Sequence, residues 1–281
     1  DFERTGAGTR SFNVITRYQV SSNINAIGWK YDNQYIAVGT DKNNAGGAHE
    51  LTILYFDGSV ATDTLSVDLN AGVYSIEWHP TDSYIVMANQ KSVYPEVAIY
   101  LVDPTNGILT STSGINTPNQ SAYAARWHKS GDYIAVGRYE AVDTVAVYPF
   151  AGGIVDYDGR IVADTFPVGQ ISIDALDWDP TGSYFAVGAQ EDVGGTELLI
   201  YHFDGASLTL TVSAEIGQTV LSIDWMPTSS LIAIGLAGGT ERLLVYNFDI
   251  SNGTLLEEAS ARIGVSDSVL SLDWDSIGYT L

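Results

Sequence analysis

Six tryptophans, Trp29, Trp78, Trp127, Trp178, Trp225 and Trp274, are the entire tryptophan content of this 281-residue chain, and neighbours in the series stand 47 to 51 residues apart. Spacing that regular over the whole length demands a repeating unit. The clearest copy is residues 173–188, I-D-A-L-D-W-D-P-T-G-S-Y-F-A-V-G. Its first six residues read as a short strand ending at Trp178. Asp179-Pro180-Thr181-Gly182 then fits a type I turn position by position, with Asp first, Pro preset by its fixed φ, and Gly last. A second strand leaves that turn at Tyr184.

A third strand follows after a loop of variable length, at residues 51–57, 97–103, 144–150, 198–204 and 242–249, rich in residues that suit a half-buried pleat. Phe56-Asp57-Gly58 and Phe203-Asp204-Gly205 close two of these runs with a turn signal. A more polar fourth strand leads on, as at residues 64–70, 108–113 and 208–213. Such a unit cannot bury its apolar face alone, and a period near fifty with four strands predicts stacked blades around an axis. The residue three places before each tryptophan is always Ala or Ser (Ala26, Ser75, Ala124, Ala175, Ser222, Ser271), as an innermost strand crowded near that axis requires.

Apolar strand, Trp-x-Pro-x-Gly turn, a strand ending in Ala-Val-Gly, and a third strand ending near Asp together resemble a WD-repeat β-propeller from about Phe12 onward. No Gly-His pair opens the units, and the Trp-Asp pairs at Trp178 and Trp274 sit at the first turn rather than at the end of the third strand. The resemblance therefore implies the fold and a docking role, without that family's internal His, Asp, Ser and Trp hydrogen-bond network. The expected architecture is all-β: one six-bladed propeller of four-stranded antiparallel blades over residues 11–281, preceded by a tail, residues 1–10.

Strand counting leaves the closing blade incomplete. Residues 12–20 alternate well enough to be its outer strand, and its inner strand is expected to end at Trp274, yet no third strand is visible. Unpaired N–H and C=O groups along such an edge need a partner. Three ways of filling it stand open: further chain, direct pairing of residues 12–20 to whatever strand the C-terminus makes, or a strand from a second copy with residues 1–10 or a neighbouring strand as donor. The last would propagate head to tail.

Charge restricts the partners. There are 34 acidic against 12 basic residues, a net charge of −22 and an isoelectric point near 4.1. A surface so negative repels phosphate backbones, so no nucleic acid is expected, and no apolar run approaches the roughly 20 residues of a membrane helix. Absence of cysteine excludes disulfides and thiolate metal sites. A first residue other than Met fits a processed exported chain.

The candidate site residues are acids opening the third strands, Glu50, Glu96, Asp143, Glu197 and Glu241, expected as a solvated belt on one face, and the loop aromatics Tyr94 and Tyr139 as contact residues. The residues just before the tryptophans, Gly28, Glu77, Arg126, Asp177, Asp224 and Asp273, are expected to line one end of the channel. His79 and His128 share a turn position that also accepts Lys30, Asp179, Met226 and Asp275, which suggests an exposed, unspecialised place. No nucleophile–base arrangement, phosphate loop or zinc spacing appears, so no catalytic residue, cofactor or metal is expected. The expected protein is a non-enzymatic structural or adhesive subunit, extracellular or at the cell surface, binding a protein partner or copies of itself. An intracellular, cytoplasmic scaffold or a carbohydrate-binding propeller are the alternatives.

Overall fold

The computed structural model describes residues 14–20, 22–42, 49–90, 95–116, 121–139, 143–163, 172–191, 195–261 and 267–274. Those residues are all-β and form five antiparallel sheets, each following the chain from the axis outward. The first sheet is β1 (Ile24–Trp29), β2 (Tyr35–Thr40), β3 (Leu51–Phe56) and β4 (Ala61–Val67). The second is β5 (Val73–Trp78), β6 (Tyr84–Asn89), β7 (Val97–Asp103) and β8 (Ile108–Ile115). The third has β9 (Ala122–Trp127), β10 (Tyr133–Arg138) and β11 (Val145–Ala151), with the outer position shared by two short pieces, β12 (Ile154–Val155) and β13 (Ile161–Val162), both paired to β11. The fourth is β14 (Ile173–Trp178), β15 (Tyr184–Ala189), β16 (Leu198–Phe203) and β17 (Leu208–Ala214). The fifth is β18 (Val220–Trp225), β19 (Leu231–Leu236), β20 (Leu243–Asp249) and β21 (Thr254–Ala261).

The turns form as their residues dictate. Asp179 accepts the N–H groups of Thr181 and Tyr184 at 3.0 and 2.8 Å, and Gly182 takes φ +78°, a conformation costly for any residue with a Cβ. At the outer hairpins Asp57 and Asp204 each accept two backbone N–H groups of the following residues. Side-chain carboxylates thus close the Phe-Asp-Gly turns.

Among the described residues no continuous ladder joins one blade to the next; the isolated bridges that cross, Tyr139–Ser172 and Ala163–Leu208, both lie between blades three and four. The apolar core is instead divided into clusters, each drawn from two adjacent blades; Val86, Ile99, Trp127 and Tyr148, for example, pack blade two onto blade three. Residues 267–274 continue the pattern as a sixth inner segment without regular strand pairing: Trp274 packs on Ala233 and Val245 of blade five, and Val269 N–H donates to Leu236 O at 3.1 Å. Blade one shows the opposite condition. Ile27 and Trp29 are 58% and 49% exposed where their equivalents Ile76 and Trp78 are each 4% exposed. The outer strand expected over residues 12–20 is not formed in the described part, 14–20, which runs beside β4 with Tyr18 Oη donating to Asp63 at 2.9 Å.

Blades approach closely enough to require glycine. A Cβ on Gly188, at the end of the Ala-Val-Gly run, would lie 2.6 Å from Val220 Cγ1 of the next blade, and one on Gly39 would lie 2.7 Å from Val73 Cγ1. Gly188→Ala is expected to lower stability by about 1–3 kcal/mol through overpacking. Thermal melting followed by tryptophan fluorescence checks this; an unchanged midpoint would mean the blades pack with slack.

Candidate functional site

The inner strands share an irregularity that builds the channel. In β1, β5, β14 and β18 the register to the second strand slips between the fifth and third residues before the tryptophan, for example Val73/Ser75 and Ile173/Ala175. A bulge leaves one residue unpaired and re-aims its side chain. The residues so placed, Asn25, Tyr74, Tyr123, Asp174 and Leu221, line one reach of a central cavity of about 330 Å³ together with Leu270, which holds the same position before Trp274 in the unpaired sixth segment. Tyr74 and Tyr123 stack with ring centroids 4.9 Å apart and planes 24° apart. Asp174 accepts the Ser172 hydroxyl at 2.5 Å, and burial pushes its pKa up. Burial also raises both tyrosines, with Tyr123 and Asp41 adding to the effect on Tyr74, and Asp174 to that on Tyr123.

The residues just before the tryptophans do different work from the expected one. Glu77 accepts the backbone N–H of Trp127 at 2.5 Å and Asp177 that of Trp225 at 2.6 Å; Asp224 accepts that of Trp274. Trp127 and Trp274 add a second bond in the same direction, donating Nε1–H to the carbonyls of Glu77 and Asp224, and Trp78 donates Nε1–H to the carbonyl of Gly28 across the boundary between blades one and two. These are inter-blade seams. Arg126 alone of the six lines the central cavity, tied back to blade two by Nη1 donating to Ser75 Oγ at 2.7 Å. Glu77 and Asp177 instead line a smaller cavity of about 240 Å³ with Trp78, Trp127, Trp178 and Lys129. Burial raises Glu77 to about 7, against the pull of Arg126. Burial likewise pushes Asp177 and Asp224 up, the latter also through the charge of Asp177.

The acids opening the third strands are not a solvated belt. Glu50, Glu96 and Glu197 are 1 to 2% exposed. Glu50 accepts the N–H groups of Leu69 and Asn70 at 2.7 and 3.1 Å, and Glu197 those of Ile216 and Gly217 at 2.7 and 3.0 Å, capping the passage from the fourth strand to the next blade. Glu96 faces buried Arg138 of blade three at 3.5 Å, and Asp143 pairs with Arg160 at 2.6 Å. Glu241 is exposed, as expected for all five. Glu50 and Glu197 are buried because unpaired amides await them and Glu96 because the buried Arg138 guanidinium does, partners that the sequence alone did not display, whereas the Asp143–Arg160 pair stays half-exposed. Tyr139 is partly exposed and bridges to Ser172; Tyr94 lies outside the described residues.

The histidine position is also corrected. His79 is 8% exposed, Lys30 6% and Asp179 1%. His79 Nδ1 accepts the N–H groups of Thr81 and Asp82, leaving Nε2–H to donate to Gly131 O of the next blade at 3.2 Å. His128 reaches Gly182 O at 3.0 Å in the same way. Both ring nitrogens are committed to structure. Among the described residues no group of three or more His, Asp or Glu side chains is arranged to hold a metal ion.

No family model matches the sequence, and no curated protein matches it. Solved structures do. The periplasmic gluconolactonase PpgL of Pseudomonas aeruginosa is 14% identical with a TM-score of 0.68 over 87% of this chain and 72% of that chain. The β-propeller domain of Myceliophteria thermophila Cps50 (Swd1) is 14% identical with a TM-score of 0.61 over 86% and 75%. A chain of the COPII outer coat vertex on membranes is 13% identical with a TM-score of 0.69 over 91% and 68%. The fold is a β-propeller. The WD-repeat resemblance holds at the level of that fold. The expectation of a non-enzyme is overturned: a propeller like this one is carried by a gluconolactonase, so the architecture does not separate catalysts from scaffolds.

The raised seam acids set the pH response. The folded chain holds the Glu77 proton more tightly than the unfolded chain, so this stability is full below the unfolded value of 4.5 and is lost as pH rises through about 7. Asp57, Asp103, Asp204 and Asp249 act oppositely: turn hydrogen bonds lower them, and their contribution is lost as pH falls below about 4. Thermal stability is therefore expected to peak near pH 5 and to fall by on the order of 2–3 kcal/mol toward pH 8. Melting curves of wild type and Glu77→Gln across this range check it; Gln at 77 should flatten the alkaline limb.

Proposed function

We propose that this chain is an acidic protein-interaction propeller that receives a basic segment of a partner protein. The observation that carries the reading is the surplus of 34 acids over 12 bases on a rigid ring. The seam and loop-capping acids are internally engaged, yet the balance still favours a cationic partner. Similar propellers occur in the COPII coat assembled on membranes, which supports a protein partner. Export to the cell exterior belongs to this proposal, as does assembly between copies, for which the exposed Ile24, Ile27 and Trp29 of β1 offer a surface. Sedimentation of the full chain with a lysine- and arginine-rich polypeptide is expected to show association that weakens steeply from 50 to 300 mM salt. Binding indifferent to salt would overturn the electrostatic reading, a chain that stays monomeric at every concentration would remove self-assembly, and retention in the cytoplasm of the source cells on fractionation would remove export.

A hydrolytic reading has one observation in its favour. Glu77, poised at about 7, lines the 240 Å³ cavity beside Lys129, and a carboxyl titrating near neutrality suits general acid–base work. On this reading the protein opens a sugar lactone, as the name of its P. aeruginosa neighbour states for that protein. Turnover of glucono-1,5-lactone above the buffer rate, reduced at least 100-fold in Glu77→Gln, is the expected result. A rate equal to buffer removes it.

A further inference from the structure

The channel is lined unevenly, and the unevenness has a chemical meaning. Around the reach set by the bulges the order is Asn25, Tyr74, Tyr123, Asp174, Leu221 and Leu270, in the order of their copies along the chain. One side is therefore aromatic and acidic, the other aliphatic. Leu270 is 73% exposed and Ile24 of β1, which lines the same cavity, is 48% exposed, so the aliphatic side continues to the rim.

Asp174 is the polar centre of this arrangement. Only the Ser172 hydroxyl is described as donating to it, and no ion pair is described for it among the described residues. The one cation that lines the cavity among the described residues, Arg126, has Nη1 held by Ser75 Oγ and Ala125 O. A desolvated carboxylate with one neutral donor is an expensive thing to keep, and the seam and loop acids show how this fold satisfies carboxylates that serve structure. Next to it, the Tyr74–Tyr123 stack presents π surface, which attracts a cation within about 6 Å of a ring centroid. At Asp41, on the Tyr74 side, both carboxylate oxygens accept Asn side chains, from Asn23 at 3.0 Å and Asn25 at 2.7 Å, and add negative potential.

We propose that this mouth of the channel is a socket for one arginine or lysine side chain of a partner protein, the charged head set on Asp174 and the tyrosine pair and the methylene stem laid along Leu221 and Leu270. Basic side chains carry this division of polar tip and apolar stem. The 330 Å³ volume is at the lower end of cavities that hold small ligands and matches a single side chain better than a folded element. Arg126 limits the depth of entry, since a second cation cannot approach it cheaply. The proposal rests on the protein-interaction reading and names its site.

The test is calorimetric titration of the full chain with a capped pentapeptide bearing one central arginine, its lysine counterpart, its neutral citrulline counterpart and free arginine amide. The arginine or lysine peptide is expected to bind at least tenfold more tightly than the citrulline peptide, and free arginine amide more weakly than either charged peptide. Asp174→Asn should remove that discrimination while holding or raising the melting temperature, a pairing that a merely structural aspartate would not give. Tyr123→Leu should weaken binding several-fold. Asp57→Asn, in an exposed outer turn, should change nothing. Equal affinity for arginine and citrulline peptides, full binding by Asp174→Asn, or no binding at all overturns the socket. Free arginine amide binding as tightly as the peptide overturns the protein partner in favour of a small amine. Salt-dependent association with a basic polypeptide that survives Asp174→Asn would sink the socket and leave the broader protein-interaction reading standing.

Discussion

The exchange between a tryptophan and the residue before the preceding tryptophan is the interaction on which the rest of this molecule depends. Among the described residues only isolated bridges and single backbone bonds cross from one sheet to the next, so the blades depend on side chains to hold them together. Glu77, Asp177 and Asp224 accept a tryptophan backbone N–H from the following blade, and Trp78, Trp127 and Trp274 donate their indole N–H to a carbonyl of the preceding one. A hydrogen bond to a charged or polar group buried from water is worth more when made, and costs more when broken, than one at the surface. These seams, with the apolar clusters beneath them, turn separate sheets into one body. The seams are not uniform: Arg126 stands where the others carry an acid or Gly28, and the indole N–H groups of Trp178 and Trp225 are buried without a hydrogen-bond partner among the described residues.

The seam also governs what is left for function. Because Glu77, Asp177 and Asp224 are turned to a tryptophan of the following repeat, and Glu77 and Asp177 line the smaller cavity shared by blades two, three and four, none of these three acids lines the central channel. Bulges in the inner strands shift the side-chain phase and hand the channel to the residue four places before the tryptophan instead. At that position the copies diverge into Asn, Tyr, Tyr, Asp, Leu and Leu, while the flanking Ala and Ser remain small. Packing holds one position constant and leaves the other free to carry chemistry.

Much of the fold was legible because its signals are local. Asp-Pro-Thr-Gly, Phe-Asp-Gly and the apolar runs specify turns and strands within a few residues, and their recurrence specifies the ring. The site was less legible. The ring of residues four places before each tryptophan stands in the chain at fixed spacing, and that spacing was the available signal. A strict two-residue alternation nevertheless conceals it, because a bulge resets the phase. The acids Glu50, Glu96 and Glu197 read as a surface belt because a charged residue at a strand start is normally solvated. Their partners, the amides of residues 69–70 and 216–217 and the guanidinium of Arg138, lie some 20 to 40 residues away in sequence. His79 and His128 misled for the same reason, their second ring nitrogen being used by a carbonyl one repeat further on.

By itself, then, the sequence determined the unit: four short strands, the turn chemistry that joins them, and the acidic balance of the whole. These follow from φ preferences, side-chain period and charge, none of which requires knowledge of distant neighbours. Tertiary structure alone decided which acids are buried and capped, which hold their protons above the usual carboxylate range, and which side chains meet in the channel. Those outcomes depend on desolvation and on partners supplied by the adjacent blade, and both exist only once the ring has assembled.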